Sequence, residues 1–447
     1  MAGARSSRPC DICWRHVQCH RGPTECGLGE GGGAAEVGFN RMFWGTLYTV
    51  KGLDALARFV EEGEDTGRHR PLGLRELLEM AASKGCRDPQ DKVHGLLGMV
   101  DPGVATMVVQ EVKKDGGHAA RVFATLARSC ISYYNNLEPL RHGNMHGKAG
   151  APSWAADWTF GGRIRGSQVL SQEVQHAPSP DVIYSAAGAF PARFNFPGDG
   201  SQLLECDGFV FDQVVGLGNR PAGYFRWRTD SMVQPPSGWT WNTRAYGRGL
   251  RDVAVAVAHA LMLGRRFDGS KTDERHLAVL SLPKRLYDLA GPQFKERGWD
   301  YMLSMSQDSS HDRWGHLAAN DTLQLGEDVT LGDLFTDDIP PDAEEAVYRE
   351  VWELFGRSSY ERRLMVTARG YIGWGPHDTT RDFDSQFVVG DLICVLWGCS
   401  TPLLIHPATG SNRFHVVGEA YVHGVMDGEA LALLESGECK ATTFTFC

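Results

Sequence analysis

Glu419, Tyr421, His423, Asp427 and Glu429 gather carboxylates, a phenol and an imidazole in one short run near the end of the chain. On a β-strand the period of two puts Glu419, Tyr421 and His423 on the same face. A carboxylate beside an imidazole, with a further acid close by, is equipment for general acid–base chemistry. The same groups serve equally well as a solvated face or as a hydrogen-bonded network that fixes a turn. Glu419, His423 and Asp427 are therefore the catalytic candidates, and no nucleophile accompanies them.

A second reactive set lies at the other end: Cys10, Cys13, Cys19 and Cys26, with His16 and His20 between them. Two thiolates spaced as Cys10 and Cys13 reach one tetrahedral ion, which is the logic of a zinc knuckle. Cys19 and Cys26 do not repeat that spacing, and a Gly-rich run (Gly27 to Gly33) follows. The segment reads as a disordered tail, with a zinc-stabilised binding module as the alternative. The sequence carries no Gly-x-Gly-x-x-Gly fingerprint after a strand, and no phosphate loop, Gly-x-Ser-x-Gly elbow or His-Glu-x-x-His zinc helix.

Short strands with turn residues between them carry the C-terminal acids and His423. Leu364, Val366 and Ala368 alternate with polar neighbours before Gly370 and Gly373 punctuate the chain. An apolar strand, Leu392 to Leu396, follows the Gly390-Asp391 turn dipeptide and ends at Trp397-Gly398. Leu403 to Ile405, Phe414 to Val417 and Tyr421 to Met426 supply three more. About five strands in about seventy residues predict a small antiparallel sheet or a partly open barrel.

Upstream the periodicity is helical. Leu53, Leu56, Ala57 and Val60 mark one helix, and Leu74, Leu77, Leu78 and Ala81 another that stops near Gly85. Asp88-Pro89 reads as an N-cap followed by proline in the first turn, with Val93, Leu96 and Leu97 as the buried face. Ala119 to Tyr134 and Ala343 to Phe355 are helical, and Val253 to Leu263 is a buried helix too short to span a bilayer. Leu203 to Phe211 is a strand with a bulge or turn at Asp207-Gly208. Trp154 and Trp158, flanking Asp157, read as core anchors. Residues 220–250 and 305–343, rich in Gly, Pro, Asp and Ser, read as surface loops or poorly ordered insertions.

The 447 residues suffice for two or three domains, and 42% hydrophobic with 22% charged content is ordinary for a globular protein. Net charge is −10 with no basic block, which gives nucleic-acid binding no support. Neither a membrane-spanning stretch nor a signal-peptide core stands out. Eleven cysteines, scattered outside the N-terminal cluster, suit a reducing intracellular compartment.

Three segments of the chain share wording with one family. Thr367 to Gly373 fits "T-x-x-G-Y-I-G", Gly390 to Pro402 fits "G-D-x-I-x-V-L-x-G-x-x-x-P", and Val417 to Glu429 fits "V-G-E-A-Y-V-H-G-x-M-D-G-E". Asp88 to Gly98 is similar to "D-P-R-D-K-I-Y-A-L-L-G", and Pro152 to Trp158 to "P-S-W-x-x-D-W". In this order the segments resemble fungal heterokaryon incompatibility (HET) proteins. The residues carrying the resemblance are Asp88, Asp91, Lys92, Trp154, Asp157, Trp158, Gly370, Tyr371, Gly373, Gly390, Asp391, Gly398, Gly418, Glu419, Tyr421, Gly424, Met426, Asp427, Gly428 and Glu429.

The resemblance implies a role in fungal non-self recognition and programmed cell death, with a protein partner and no cofactor. It also implies that the Asp91-Lys92 helix packs on the family's N-terminal domain, either with those two residues ion-paired or with both solvated. The strand and helix motifs of that Toll/interleukin-receptor-like domain are not found, so the chain is expected to be N-terminally shortened, by loss or by a misplaced gene start. Any nicotinamide-dinucleotide hydrolysis by such domains does not carry over.

The expectation is an α+β protein with a helical N-terminal half followed by a β-rich C-terminal domain. Its divisions are a tail at 1–38, a helical region at 39–150, strands and loops at 151–215, a mixed insertion at 216–343, the β-rich domain at 344–434 and a tail at 435–447. The expected protein is cytoplasmic and non-enzymatic, and binds neither nucleic acid nor membrane. An enzyme built on the Glu/His/Asp cluster is the alternative.

Overall fold

The computed structural model describes residues 71–82, 86–115, 118–143, 145, 147, 149–159, 184–198, 202–221, 227–228, 231–281, 316–336, 344–359, 362–376 and 388–447. All lie in the unit Tyr48–Cys447. The helix expected at Leu53 to Val60 and the four N-terminal cysteines fall outside these residues. The protein combines helices with a strand-rich C-terminal sheet.

Helix α1 (Leu74–Ala82) buries Leu77, Leu78 and Ala81, the stripe its spacing predicts. Helix α2 is a single turn, Asp91–His94, whose N-cap is Gln90 and not Asp88. The correction has a simple cause: the backbone from Asp88 closes in turns, with Asp91 N donating to the Asp88 carbonyl, before regular helix begins. Helix α3 (Pro102–Asp115) packs on α4 (Ala119–Tyr134), which ends at Asn135 in the left-handed conformation typical of a helix C-terminus. A 3-10 turn, Glu138–His142, follows. Further on come α5 (Thr243–Tyr246), the buried α6 (Leu250–Leu261) and α7 (Glu345–Ser359).

Strand β1 (Phe194–Asn195) lies against the long β2 (Leu204–Leu217), and β3 (Arg220–Pro221) pairs with β4 (Trp227–Arg228). Later strands are β5 (Arg362–Thr367), β6 (Ile372–Pro376), β7 (Leu392–Leu396), β8 (Leu403–Pro407), β9 (Phe414–Glu419) and β10 (Tyr421–Val422). After the short helix α8 (Leu431–Glu435), β11 (Ala441–Phe446) ends the sheet. Followed neighbour to neighbour, the strands run β2, β11, β9, β8, β7 and back to β2. Pairing therefore returns on itself, while β5, β6 and β10 extend the sheet outward from β2.

Inside this circuit lie Leu204, Cys206, Cys394, Leu396, Leu403, Ile405, Val416, Phe444 and Phe446, one set from each of its five strands. Ile131, Leu137, Leu140 and Trp154 belong to the same core and join the helical region to it. Alternate residues of β2, β7, β8 and β9 face a second, larger core with α6 and α7. A third core joins α1, α3 and α4 with Trp158.

Several expectations change. β2 runs unbroken through Asp207-Gly208, and Gly208 is there because a Cβ would overlap the backbone of Val395 and Leu396. Gly373 lies inside β6 for a similar reason, since a Cβ would strike the Tyr421 carbonyl. β5 is buried along its whole length, so its alternation does not mark a solvent face. The strand expected over Tyr421 to Met426 stops at Val422. Residues 435–447, read as a tail, contain β11. Trp239, Tyr246, Leu317, Leu323, Leu325 and Leu331, from segments read as surface loops, are buried in the larger core.

Because β11 pairs with both β2 and β9, its side chains hold the circuit shut. Phe446 is fully buried. Phe446→Ala is expected to lower stability by about 3–5 kcal/mol. A urea melt showing less than about 1 kcal/mol of loss contradicts this placement.

Candidate functional site

The C-terminal acids and imidazole separate into three groups. β9 pairs with β8 through Glu419, whereas β10 pairs with β6 from Tyr421 onward. The chain changes neighbour at Ala420, which breaks the period of two that placed Glu419 beside His423.

Glu419 is buried against two guanidiniums. Arg141 Nε donates to its Oε2 at 3.0 Å and Arg362 Nη2 to its Oε1 at 3.1 Å. Arg141 also donates to Glu138 Oε2 at 2.8 Å and Ser400 Oγ at 3.3 Å. The two cations shift in opposite directions. For Arg141 burial alone lowers the pKa, but Glu419 and Glu138 raise it further than that. For Arg362 burial prevails over Glu419 and the net shift is downward. Both remain cations near neutral pH. A carboxylate clamped in this way accepts a hydrogen bond on each of its oxygens.

His423 belongs to an aromatic group. Tyr421 Oη and His423 Nδ1 are 3.1 Å apart, and the His259 ring stacks on His423 with centroids 5.7 Å apart. Tyr246 Oη donates to the His423 carbonyl at 2.8 Å and accepts from Ile372 N at 3.1 Å. Burial, then the nearby His259, Lys271 and Arg265, lower the His423 pKa to about 3. Burial also raises the Tyr421 and Tyr246 pKa values. At neutral pH all of these side chains are uncharged.

Asp427 forms the third group. Arg265 Nη2 lies 2.5 Å from one oxygen and Lys271 Nζ 2.7 Å from the other. Burial raises its pKa, but the two cations overcome that and leave it lowered. The Arg265 guanidinium also lies over the Tyr184 ring, 5.2 Å from its centroid. Leu263 holds a left-handed backbone (φ 58°) just before Arg265, at a cost of roughly 1–2 kcal/mol. Its carbonyl accepts from Tyr184 Oη at 2.8 Å. Glu429 Oε2 caps the following turn, accepting from Asp427 N at 2.7 Å.

The remaining motif residues hold the frame. Gly370 turns β5 into β6, and its carbonyl accepts from Asn242 N at 2.7 Å. Tyr371 packs against Phe211 and Tyr246. Gly390 and Asp391 make the turn into β7, and the Gly398 carbonyl accepts from Leu137 N at 2.9 Å. Gly418 lies in β9, Gly424 and Gly428 in the turns after β10, and the Met426 carbonyl accepts from Ser185 N at 2.8 Å. Trp154 donates to the Gln202 carbonyl at 2.9 Å. Asp157 accepts from Ala149 N at 3.0 Å and Thr159 N at 2.8 Å, and Trp158 is buried. Asp88 and Asp91 are exposed, while Lys92 donates to the Ala81 carbonyl at 3.3 Å.

Local residue pattern does not mark Arg141, Arg265, Lys271, His259, Tyr184 or Tyr246, nor the role of Arg362. The one available signal was Arg362-Arg363 opening an apolar strand, where a charged pair needs buried partners. Arg363 donates to the Gly218 carbonyl at 2.7 Å and the Ser231 carbonyl at 2.6 Å. Among the described residues no three His, Cys, Asp or Glu side chains are placed to hold a metal ion. No helix among them is long and apolar enough to cross a membrane.

Residues 343–438, which supply β5–β10 and most of these groups, match the Het-6 beta-barrel domain. Over 379 residues the chain is 23% identical to heterokaryon incompatibility protein 6, OR allele, of Neurospora crassa, covering 76% of this chain and 48% of that protein. This chain is thus homologous, at low identity, to a heterokaryon incompatibility protein, and the resemblance carried by its sequence motifs is shown. It spans about half the length of that relative. No solved structure matches it.

Glu419→Gln leaves two buried guanidiniums facing a neutral amide, and is expected to cost ~3–5 kcal/mol in a urea melt. A loss under about 1 kcal/mol counts against the triad. For His423 the folded state stays neutral down to about 3, whereas an unfolded histidine titrates near 6.5. The unfolded chain therefore takes the proton first, so this contribution is complete above the unfolded pKa and declines as pH falls toward the folded one. Ideal burial gives ~3 kcal/mol of loss by about pH 4, reduced to ~1–2 kcal/mol by the partial exposure of the ring. His423→Gln is expected to flatten that part of the stability–pH curve, and an unchanged slope contradicts the assignment.

Proposed function

We propose that this chain acts in heterokaryon incompatibility, in fungal non-self recognition that leads to programmed cell death, a form of innate immunity. It serves there as a non-enzymatic recognition or regulatory component that meets a protein partner in the cytoplasm. One observation supports this most: a chain homologous to an incompatibility protein has its C-terminal motif residues built into a largely buried frame. Glu419 and Asp427 are ion-paired and His423 is uncharged, which favours a structural use of that motif over acid–base work. The same proposal takes the closed strand circuit as the barrel and the chain ahead of it as a helical half.

Heterokaryon assays test this. The coding sequence is expressed in Neurospora crassa strains carrying different incompatibility alleles, and the growth and dye uptake of fused cells are scored. Reduced growth and increased dye uptake in some allele pairings but not others are expected. Equal viability in every pairing overturns the role. His423→Gln is expected to retain the effect, and its complete loss in a folded variant favours the enzyme alternative.

A further inference from the structure

β11 meets β2 along its whole length but meets β9 at one point. Ala441 to Phe446 pair with Phe209 to Leu204 without a register shift. On the other side, among the described residues, only Phe446 has a strand partner, Phe414 of β9. The chain ahead of Phe414 does not continue that pairing. Ala408 N donates to the Arg413 carbonyl at 2.9 Å, which turns 408–413 into the connection from β8 to β9. The strand circuit is thus closed at the end of β11 and open along its start.

Hydrogen-bond direction shows which groups lie on the open edge. In an antiparallel ladder every second pair exchanges no backbone hydrogen bonds. Asp207, level with Thr443, donates its N–H to the Arg193 carbonyl at 3.0 Å, and its own carbonyl accepts from Trp397 N at 2.9 Å. Thr443–Asp207 is therefore such a pair, and so is Ala441–Phe209. The N–H and C=O groups of Ala441 and Thr443 point away from β2. Cys447 follows the same phase, since its N–H reaches the Phe414 carbonyl at 3.1 Å. Among the described residues no backbone partner meets Ala441 or Thr443 on that edge, and Ala441, Thr442 and Thr443 are exposed. Sheets usually guard such an edge with a charge, a proline or a bulge, and Ala441 to Phe446 contain none.

We propose that this edge receives an extended, acidic segment of a protein partner by β-strand addition, with Ala441 and Thr443 hydrogen-bonding its backbone. The assignment rests on the reading of the chain as a recognition component and gives that role a surface. Two side-chain features set the partner's chemistry. Lys440 and Arg413 are exposed and flank the open edge at its two ends, which favours a carboxylate at each end of the segment. On the inward face the Phe414 and Phe444 rings, with centroids 5.5 Å apart, lie at the rim of the interior core, and Thr442 beyond them is exposed. Apolar β-branched residues at alternate positions of the segment extend that core.

The probe is the synthetic peptide acetyl-Asp-Val-Thr-Val-Thr-Val-Glu-amide, added to the full chain. Calorimetry is expected to show saturable binding, with amide exchange at Ala441 and Thr443 slowed about tenfold or more. Only one alternate set of peptide amides faces β11. N-methylation of that set is expected to abolish binding, and N-methylation of the other set to preserve it. Thr443→Pro removes an outward N–H and no bond to β2, and is expected to weaken the peptide about tenfold or more. Lys440→Glu with Arg413→Glu is expected to weaken it most at low salt. Should Thr443→Pro fail to fold, the two methylated peptides carry the comparison on the unaltered chain. No saturable binding, equal affinity for both methylated peptides, or unslowed exchange overturns the proposal. A dimer of the free chain that Thr443→Pro dissociates assigns the edge to a second copy and overturns it too. None of these readouts passes through the heterokaryon assay, so this edge and the incompatibility role stand or fall separately.

Discussion

One buried carboxylate between two guanidiniums holds this molecule's parts in register. Arg141 comes from the 3-10 turn after α4, Arg362 from the start of β5 and Glu419 from the end of β9. Separately, each charge would cost several kcal/mol to remove from water; together, their hydrogen bonds and attraction offset that cost only in a narrow geometry. The triad therefore adds little net stability but strongly penalises any arrangement in which the helical region and the sheet are misaligned. Glu138 extends it, accepting from Ser400 N at 2.7 Å, so the turn after β7 is fixed to the same helical segment.

Given that alignment, the rest of the motif is held in place by its strand partners and turns. The change of strand partner at Ala420 sends Glu419 to the arginines and Tyr421 to the larger core. The backbone at Leu263 and Gly264 is left-handed, and a Cβ on Gly264 would meet the Tyr421 hydroxyl. The turn after α6 thereby places Arg265 over Tyr184 and against Asp427. The groups that lie close in sequence are thus divided among separate partners: Glu419 between two arginines, Tyr421 and His423 with each other, and Asp427 between Arg265 and Lys271.

Relatedness and architecture meet in the strand circuit. The matched segment, 343–438, supplies β7, β8 and β9, but β2 and β11 lie outside it and complete the pairing. The interior core likewise draws on Ile131, Leu137 and Trp154 from far upstream. The fold of the matched segment thus depends on chain that the match does not include, and the two contributions join along β2–β7, along β2–β5 and at the short β9–β11 pairing.

Local pattern by itself determined much. The α4 span, the α6 burial and the strands β7, β8 and β9 follow from apolar spacing and glycine punctuation, because burial along one face leaves a periodic trace. The motif wording sufficed to point to the incompatibility proteins. Long-range pairing was decided only in three dimensions. β11 is short and rich in Thr and Phe, and nothing local says that it joins a strand more than two hundred residues earlier in sequence. The sheet partners of Arg362 and Arg363 are equally invisible, since a buried charge is recognised by what it faces. Side-chain direction past Ala420 depends on which strand lies alongside, and that is a property of the assembled sheet and not of the residues in order.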